Sequence, residues 1–242
     1  MKTFSKSDIG KKRKVNQDSV FTSEVAVGGL PDLFIVADGM GGHAAGDFAS
    51  KTAVETMVET IMGCDGSDPK DILAKGIAAA NETVYRKSSE DKALEGMGTT
   101  LVASCVMDGI LYVANVGDSR LYLLRDDEIR QVTMDHSLVE EMVRKGIIAR
   151  ESARNHPDKN KITRAVGVAD TVEPDYFTVD LEDGDYVLMC TDGLTNMLED
   201  SKIRTVISAA RDIPDAAIKL VDTANARGGR DNISVVLIKY EK

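Results

Sequence analysis

Four aspartates share a setting that ordinary turn residues do not. Asp38-Gly39 follows the apolar run Leu33 to Ala37, Gly117-Asp118 follows Leu111 to Val116, Asp192-Gly193 follows Tyr186 to Thr191, and Asp231-Asn232 precedes the closing run Ile233 to Ile238. A carboxylate at the end of a doubly buried strand puts negative charge at the edge of a dry core, which is costly unless something positive offsets it. Four such acids, each beside a Gly or Asn, suit a site where oxygen ligands converge on a hard divalent cation. Glycine lets the chain turn sharply, so the Gly39 carbonyl could add an oxygen beside the Asp38 carboxylate. The ordinary alternative for each acid is a turn. Asp108-Gly109 and Asp183-Gly184 are read that way, because each lies between strand-like runs at hairpin spacing. Gly39 to Ala44 also fits a G-x-G-x-x-A dinucleotide fingerprint, but weakly: one helical pattern follows another, and Asp38 would repel a pyrophosphate.

The elements that must position these residues follow from periodicity. Five apolar residues without alternation at 33–37 indicate a strand buried on both faces. Residues 3–9 read as a strand, and apolar side chains recur at helical spacing over 44–62 and again over 69–87. From Gly98 the pattern becomes β-rich: 99–107, 110–116, 120–125 and 129–134 read as an antiparallel meander. A short helix is expected at 137–146 and a polar, charge-mixed loop at 147–161. Strands resume at 172–180 and 185–191, joined by Glu182-Asp183-Gly184; helices follow at 201–211 and 215–226, and a last strand at 233–238. Helices in pairs between blocks of antiparallel strands imply an α+β layout with helices packed outside a β core.

The 242 residues carry no linker-like stretch, low-complexity segment or repeat, which predicts one domain over 1–242. A formal charge of −10 argues against nucleic acid as a partner and favours attraction of divalent cations. No apolar run has the length of a signal-peptide core or a membrane span, so a cytoplasmic location and no membrane association are expected. Cys64, Cys105 and Cys190 are far apart and odd in number, which suits buried free thiols. The basic run Lys11-Lys12-Arg13-Lys14 reads as a solvated loop. His136 and His156 read as structural or surface residues.

Taken together, Arg13 with Asn16-Gln17-Asp18, Val36 to His43, Gly98-Thr99-Thr100, Ala114 to Arg120, Asp135-His136-Ser137, Cys190 to Leu194 and Asp231-Asn232-Ile233 resemble the PPM family, the metal-dependent type 2C Ser/Thr protein phosphatases, nearest to its bacterial branch. The resemblance runs in order over essentially the whole chain. It implies a four-layer αββα sandwich, two antiparallel sheets flanked by helix pairs, with a binuclear Mn²⁺ or Mg²⁺ centre at one end and a third, weaker ion beside it. By resemblance Asp38 bridges the two ions, the Gly39 carbonyl ligates the first, and Asp192 and Asp231 ligate the second. Asp118 with Asp192 would hold the third. Asp18 and Asn232 would stand behind the ligands, Asp18 holding metal-bound water, and Arg13 would grip the substrate phosphate, for which a guanidinium fork is better shaped than an ammonium.

The reaction so implied is hydrolysis of phosphoserine and phosphothreonine by metal-activated water. Animal relatives place a His directly after the Asp-Gly pair, where this chain has Met40; His43, three residues on, is the candidate general acid. The loop at 147–161 resembles the family's flap. Alternative readings are a two-metal phosphohydrolase of small phosphoesters and a catalytically inactive phosphoprotein-binding relative. Implied partners are phosphoproteins, a eukaryotic-type Ser/Thr kinase and its targets among them, with the enzyme itself a monomer.

Overall fold

The computed structural model describes residues 1–42 and 45–242, so the predicted general acid His43, with Ala44, lies outside the described residues. Two antiparallel sheets stack face to face. One has the order β1 (Lys2–Asp8), β11 (Ile233–Lys239), β10 (Tyr186–Cys190), β7 (Arg120–Arg125), β8 (Glu128–Gln131); the other has β2 (Asp18–Ser23), β3 (Leu33–Met40), β5 (Leu101–Met107), β6 (Ile110–Val116), β9 (Asp175–Asp180), with the short β4 (Gly98–Thr99) also paired to β3. Helices α1 (Ala45–Met62) and α2 (Pro69–Glu90) cover the second sheet, while α5 (Asp192–Thr195), α6 (Asp200–Ser208) and α7 (Ile213–Ala226) cover the first. The expected αββα sandwich is what the chain forms.

The lack of apolar/polar alternation along the central strands is explained by burial on two faces. Along β3, Leu33, Ile35 and Ala37 pack under α1 and α2, whereas Phe34 and Val36 point into the gap between the sheets. Along β11, Ile233, Val235 and Leu237 face the helices and Val236 and Ile238 face the gap. A strand with core on both sides has no reason to alternate. Cys105 and Cys190 are buried on the two helix-facing sides, Cys64 is half-buried, and all three are free thiols.

Several expectations are corrected. Residues 18–23 form a strand that the periodicity did not suggest; Asp18 ends a polar loop, and Val20 and Phe21 give too short an apolar signal. The segment 99–134 is not one meander. Asp108-Gly109 closes a β5–β6 hairpin, with φ of 54° and 79°, and Asp126-Asp127 closes a β7–β8 hairpin in the other sheet. Gly117-Asp118-Ser119 therefore carries the chain from one sheet to the other. Glu182-Asp183-Gly184 is likewise no hairpin, because β9 and β10 lie in different sheets. Helical segments also appear where none was expected, at α5 and, inside the polar loop, at α4 (Arg150–Ala153), which follows α3 (Leu138–Arg144). The loop returns beside α3's start, where Leu138 N–H donates to Lys161 O at 2.8 Å and Thr163 N–H to His136 O at 2.8 Å.

Candidate metal centre

The gap between the sheets turns polar at one end. On the strand faces that bury Val20, Phe34, Val36, Val102 and Val236 further along, the same parity brings in Asp18, Asp38, Thr100 and Ser234. Asp18 and Asp38 stand directly opposite each other on β2 and β3. Two like charges in register across a strand pair repel, so this placement calls for a cation between or beside them.

The backbone holds Asp38 from several sides. Its N–H donates to Thr100 Oγ1 at 2.9 Å, and its carbonyl accepts from Thr100 N–H and from Thr99 Oγ1, each at 2.9 Å. Thr100 Oγ1 lies 2.7 Å from Ser119 Oγ, which ties the end of β3 to the crossover carrying Asp118. Gly39 follows at a position where a side chain has no room: a Cβ would stand 1.9 Å from Gly46 O of α1 and 2.7 Å from Gln17 O. The close approach of α1 and the 9–17 loop explains the glycine without reference to a ligand.

Asp192 opens α5. Asn196 Nδ2 donates to its Oδ2 at 2.8 Å, and its carboxyl also meets that of Asp38. Gly193, next in line, is in close contact with the Asn232 carbonyl, 1.8 Å from where a Cβ would be. Asn232 is buried and binds four ways: Oδ1 accepts Gln17 N–H at 2.9 Å, Nδ2 donates to Ile9 O at 2.9 Å and Val15 O at 3.0 Å, and its own N–H reaches Asp231 Oδ1 at 2.9 Å. It thus fixes both ends of the loop that presents Arg13. Arg13 donates to Asp231 Oδ2 at 2.7 Å.

Asp118 is held through its neighbours. His136 N–H donates to Gly117 O at 2.9 Å and its Nδ1 accepts Gly117 N–H at 3.0 Å. That leaves the proton on Nε2, 3.2 Å from Asp175 Oδ2, and makes His136 the structural residue expected. On the other side of Asp118, Arg120 grips Asp135 through Nε at 2.9 Å and Nη2 at 2.7 Å. Ser137 caps α3 by accepting from Glu140 N–H at 3.2 Å. Asp135, to which the sequence assigned no role, is therefore the anchor for the strand that begins just after Asp118.

Arg13, Asp38, Gly39, Asp118, Asp192 and Asp231 line one cavity of about 250 Å³, together with Gln17, Met40, Thr100, Asn160 and Ile162. The structure brings every described ligand candidate together. Periodicity could not have found Asn160, at the end of the 147–161 loop, or Ile162, just after it. The electrostatics are unbalanced. Loss of water around Asp38, and then the charges of Asp18, Asp192 and Asp118, hold its carboxyl well above the usual range. The same causes, enclosure first and neighbouring carboxylates second, raise Asp118 and Asp192. Asp18 is raised by burial despite the hydroxyl of Thr191, which donates to its Oδ2 at 3.0 Å.

A divalent cation fits these residues. Asp18 Oδ1 and Asp192 Oδ1 are enclosed and have no hydrogen-bond partner, and a carboxylate oxygen so placed is unfavourable until a cation or water meets it. The donors are all oxygens, the set preferred by Mg²⁺ and Mn²⁺ over softer metals. Among the described residues no three Asp, Glu, His or Cys side chains already form a cage around a single ion. An ion here would complete its shell with carbonyl and water oxygens, as hard octahedral cations do.

Comparison with known proteins agrees with this geometry. The protein phosphatase 2C family model matches residues 22–233. A Listeria innocua relative, serine/threonine phosphatase stp, is 40% identical over 240 residues, covering 97% of this chain and 94% of its own. The solved structure of the Streptococcus agalactiae serine/threonine phosphatase superposes with a TM-score of 0.92 at 39% identity, covering 99% of both chains. The catalytic domain of the phosphatase PstP, solved in complex with two manganese ions, superposes at 0.88 with 33% identity over 100% of this chain and 98% of that one. The sandwich, the carboxylates gathered at its end and the extent of these matches leave one assignment: the chain belongs to the protein phosphatase 2C family.

Proposed function

We propose that this protein is a metal-dependent phosphatase that hydrolyses phosphoserine and phosphothreonine in proteins. The observation that carries the reading is the convergence of Asp38, Asp118, Asp192 and Asp231 with Arg13 on one cavity. Asp38 would bridge two ions, Gly39 O would serve the first, and Asp192 and Asp231 the second, with Asp118 and Asp192 sharing a weaker third. Two bound divalent ions would supply an acidified water as nucleophile and neutralise the phosphoryl oxygens. Asp18, opposite Asp38, accepts a hydrogen bond from Thr191 and would hold water at the centre. Asn232 holds the loop that aims Arg13, whose guanidinium, now bonded through Nη2 to Asp231, would offer a phosphate its two-pronged fork. His43 is our candidate to protonate the leaving alkoxide. Residues 1–242 would act as one catalytic unit with 147–161 as its flap, a monomer in the cytoplasm. Its substrates would be phosphoproteins, a eukaryotic-type kinase and its targets among them. Among the described residues no helix is long and apolar enough to cross a membrane.

The test is phosphate release from phosphothreonine peptides in chelator and after adding Mn²⁺ or Mg²⁺, with metal stoichiometry measured by calorimetry. Activity should vanish in chelator and return with the ion; full activity in excess chelator would overturn the reading. Asp118→Ala should still bind two ions while turning over phosphopeptide poorly. Loss of all metal in that variant would reverse the roles given to Asp38 and Asp118. His43→Gln should slow phosphothreonine hydrolysis and spare p-nitrophenyl phosphate, whose leaving group needs no proton.

A further inference from the structure

The cavity has a strongly basic border of which the catalytic roles use only Arg13. The loop of residues 9–17 lies against residues 227–232: Lys11 N–H and Lys12 N–H donate to Gly229 O at 2.7 and 3.2 Å, and Asn232 binds both ends of the loop. These two segments carry Lys11, Lys12, Arg13, Lys14, Arg227 and Arg230 against a single carboxylate, Asp231, in a chain whose net charge is −10. Asp8, at the base of the loop, is turned to Gly10 N–H and Asn225 Nδ2.

The cations are open to solvent and largely unpaired. Arg13 is engaged by Asp231 and Arg227 by the Met197 carbonyl at 3.4 Å, while Lys11, Lys12, Lys14 and Arg230 are exposed. Among the described residues the side chains of those four make no hydrogen bond or ion pair. Because Arg13 and Asp231 line the cavity itself, the border is continuous with the place where a phosphoryl group would sit. Gathering unpaired like charges on two clamped loops costs self-repulsion, which an anionic partner would relieve.

We propose that this border selects phosphoproteins carrying further negative charge, as acidic side chains or a second phosphate, within a few residues of the phosphoserine or phosphothreonine. The inference rests on the phosphatase reading and adds a substrate class to it. Lys11, Lys12, Lys14 and Arg230 act as a field around the bound chain and touch no reacting atom.

The experiment compares three phosphothreonine peptides that differ only in their flanks: alanines, glutamates, or a second phosphothreonine. Wild-type protein with Mn²⁺ should show kcat/KM about tenfold higher for the glutamate-flanked peptide at low ionic strength, with near parity in ~0.5 M salt. The variant Lys11→Gln/Lys12→Gln/Lys14→Gln/Arg230→Gln should lose the preference while hydrolysing p-nitrophenyl phosphate and the alanine-flanked peptide as before. A gain confined to the doubly phosphorylated peptide would identify phosphate as the anion read. Equal rates on all three peptides would overturn the proposal, as would a preference that survives in the variant. Binding of anionic vesicles or oligonucleotides without any peptide preference would overturn it too. Failure to hydrolyse p-nitrophenyl phosphate with Mn²⁺ would instead overturn the phosphatase reading beneath it.

Discussion

The two ends of the sandwich both enclose carboxylates, and they treat them differently. At the end opposite the cavity, where β7 stops and β10 starts, Asp185 is 2% exposed and fully answered. Arg125 Nε and Nη2 donate to its two oxygens at 2.9 and 2.6 Å, Glu182 N–H donates at 2.8 Å, and the remaining Arg125 nitrogen pairs with Glu182. At the cavity end, Asp38 faces Asp18 across the strand pair and meets Asp192, Arg13 is taken by Asp231, and oxygens of Asp18 and Asp192 have no partner. The first arrangement is an acid neutralised by the chain itself, whose purpose is to pin a crossover. The second is a set of acids without enough protein cations, and an enclosed charge without a partner is a strong destabiliser. The difference separates aspartates answered by the chain from aspartates left unanswered better than any local motif.

The largest effect expected is at the uncompensated end. Asp38→Asn should lower phosphopeptide turnover by about three powers of ten, because it removes the carboxylate proposed to bridge the ions. In chelator at neutral pH the same variant should melt no lower than wild type, since it also removes like-charge repulsion. A clear drop in the metal-free melting temperature would show that Asp38 is structural after all.

Next is the hinge of the comparison, Asn232, whose loss removes three hydrogen bonds of a buried side chain, to Gln17 N–H and to the carbonyls of Ile9 and Val15. Asn232→Ala should cost roughly 3 kcal/mol of stability. It should also raise KM more than it lowers kcat, because the loop presenting Arg13 loosens. Unchanged KM in a folded variant would disconnect Asn232 from Arg13.

At the compensated end the expectation is inverted. Arg125→Met should destabilise by roughly 2 kcal/mol through the enclosed Asp185 carboxylate, with kcat and metal binding at wild-type values. Arg125→Met/Asp185→Leu should recover most of that loss. If the double variant is no better than the single one, the ion pair is not what Arg125 contributes.

The imbalance at the cavity end also sets a pH dependence of the metal-free protein. Asp18 and Asp192 are raised in the folded state to about 7 and about 6, burial leading in each case, whereas an unfolded Asp titrates near ~3.9. Between those values the folded state holds more protons than the unfolded one, so stability falls as pH rises. Thermal melting in chelator should drop by about 10 °C from pH 5 to pH 7.5, and saturating Mn²⁺ should remove the slope. A metal-free melting temperature that rises over this range would contradict the imbalance at the cavity end.

What the sequence could state by itself is set by the range of its signals. The continuous apolar run at 33–37 announces a strand buried on two faces, and paired helical periodicities place helices outside the β core, because each signal is local to one element. Chemistry was legible where an acid interrupts such a run, at Asp38, Asp118, Asp192 and Asp231. Its order along the chain carried the likeness to a phosphatase family. Sheet membership was not legible. Asp108-Gly109 and Glu182-Asp183-Gly184 look alike as strings, yet one closes a hairpin and the other crosses between sheets, since the partner of a strand is decided by contacts far away in the chain. The same holds for β2, whose pairing with β3 sets Asp18 against Asp38, and for Asn232, which links residues more than two hundred positions apart. Only tertiary structure decides which carboxylates find an arginine and which are left without one, because charge neutralisation depends on distance in space and sequence records only distance along the chain.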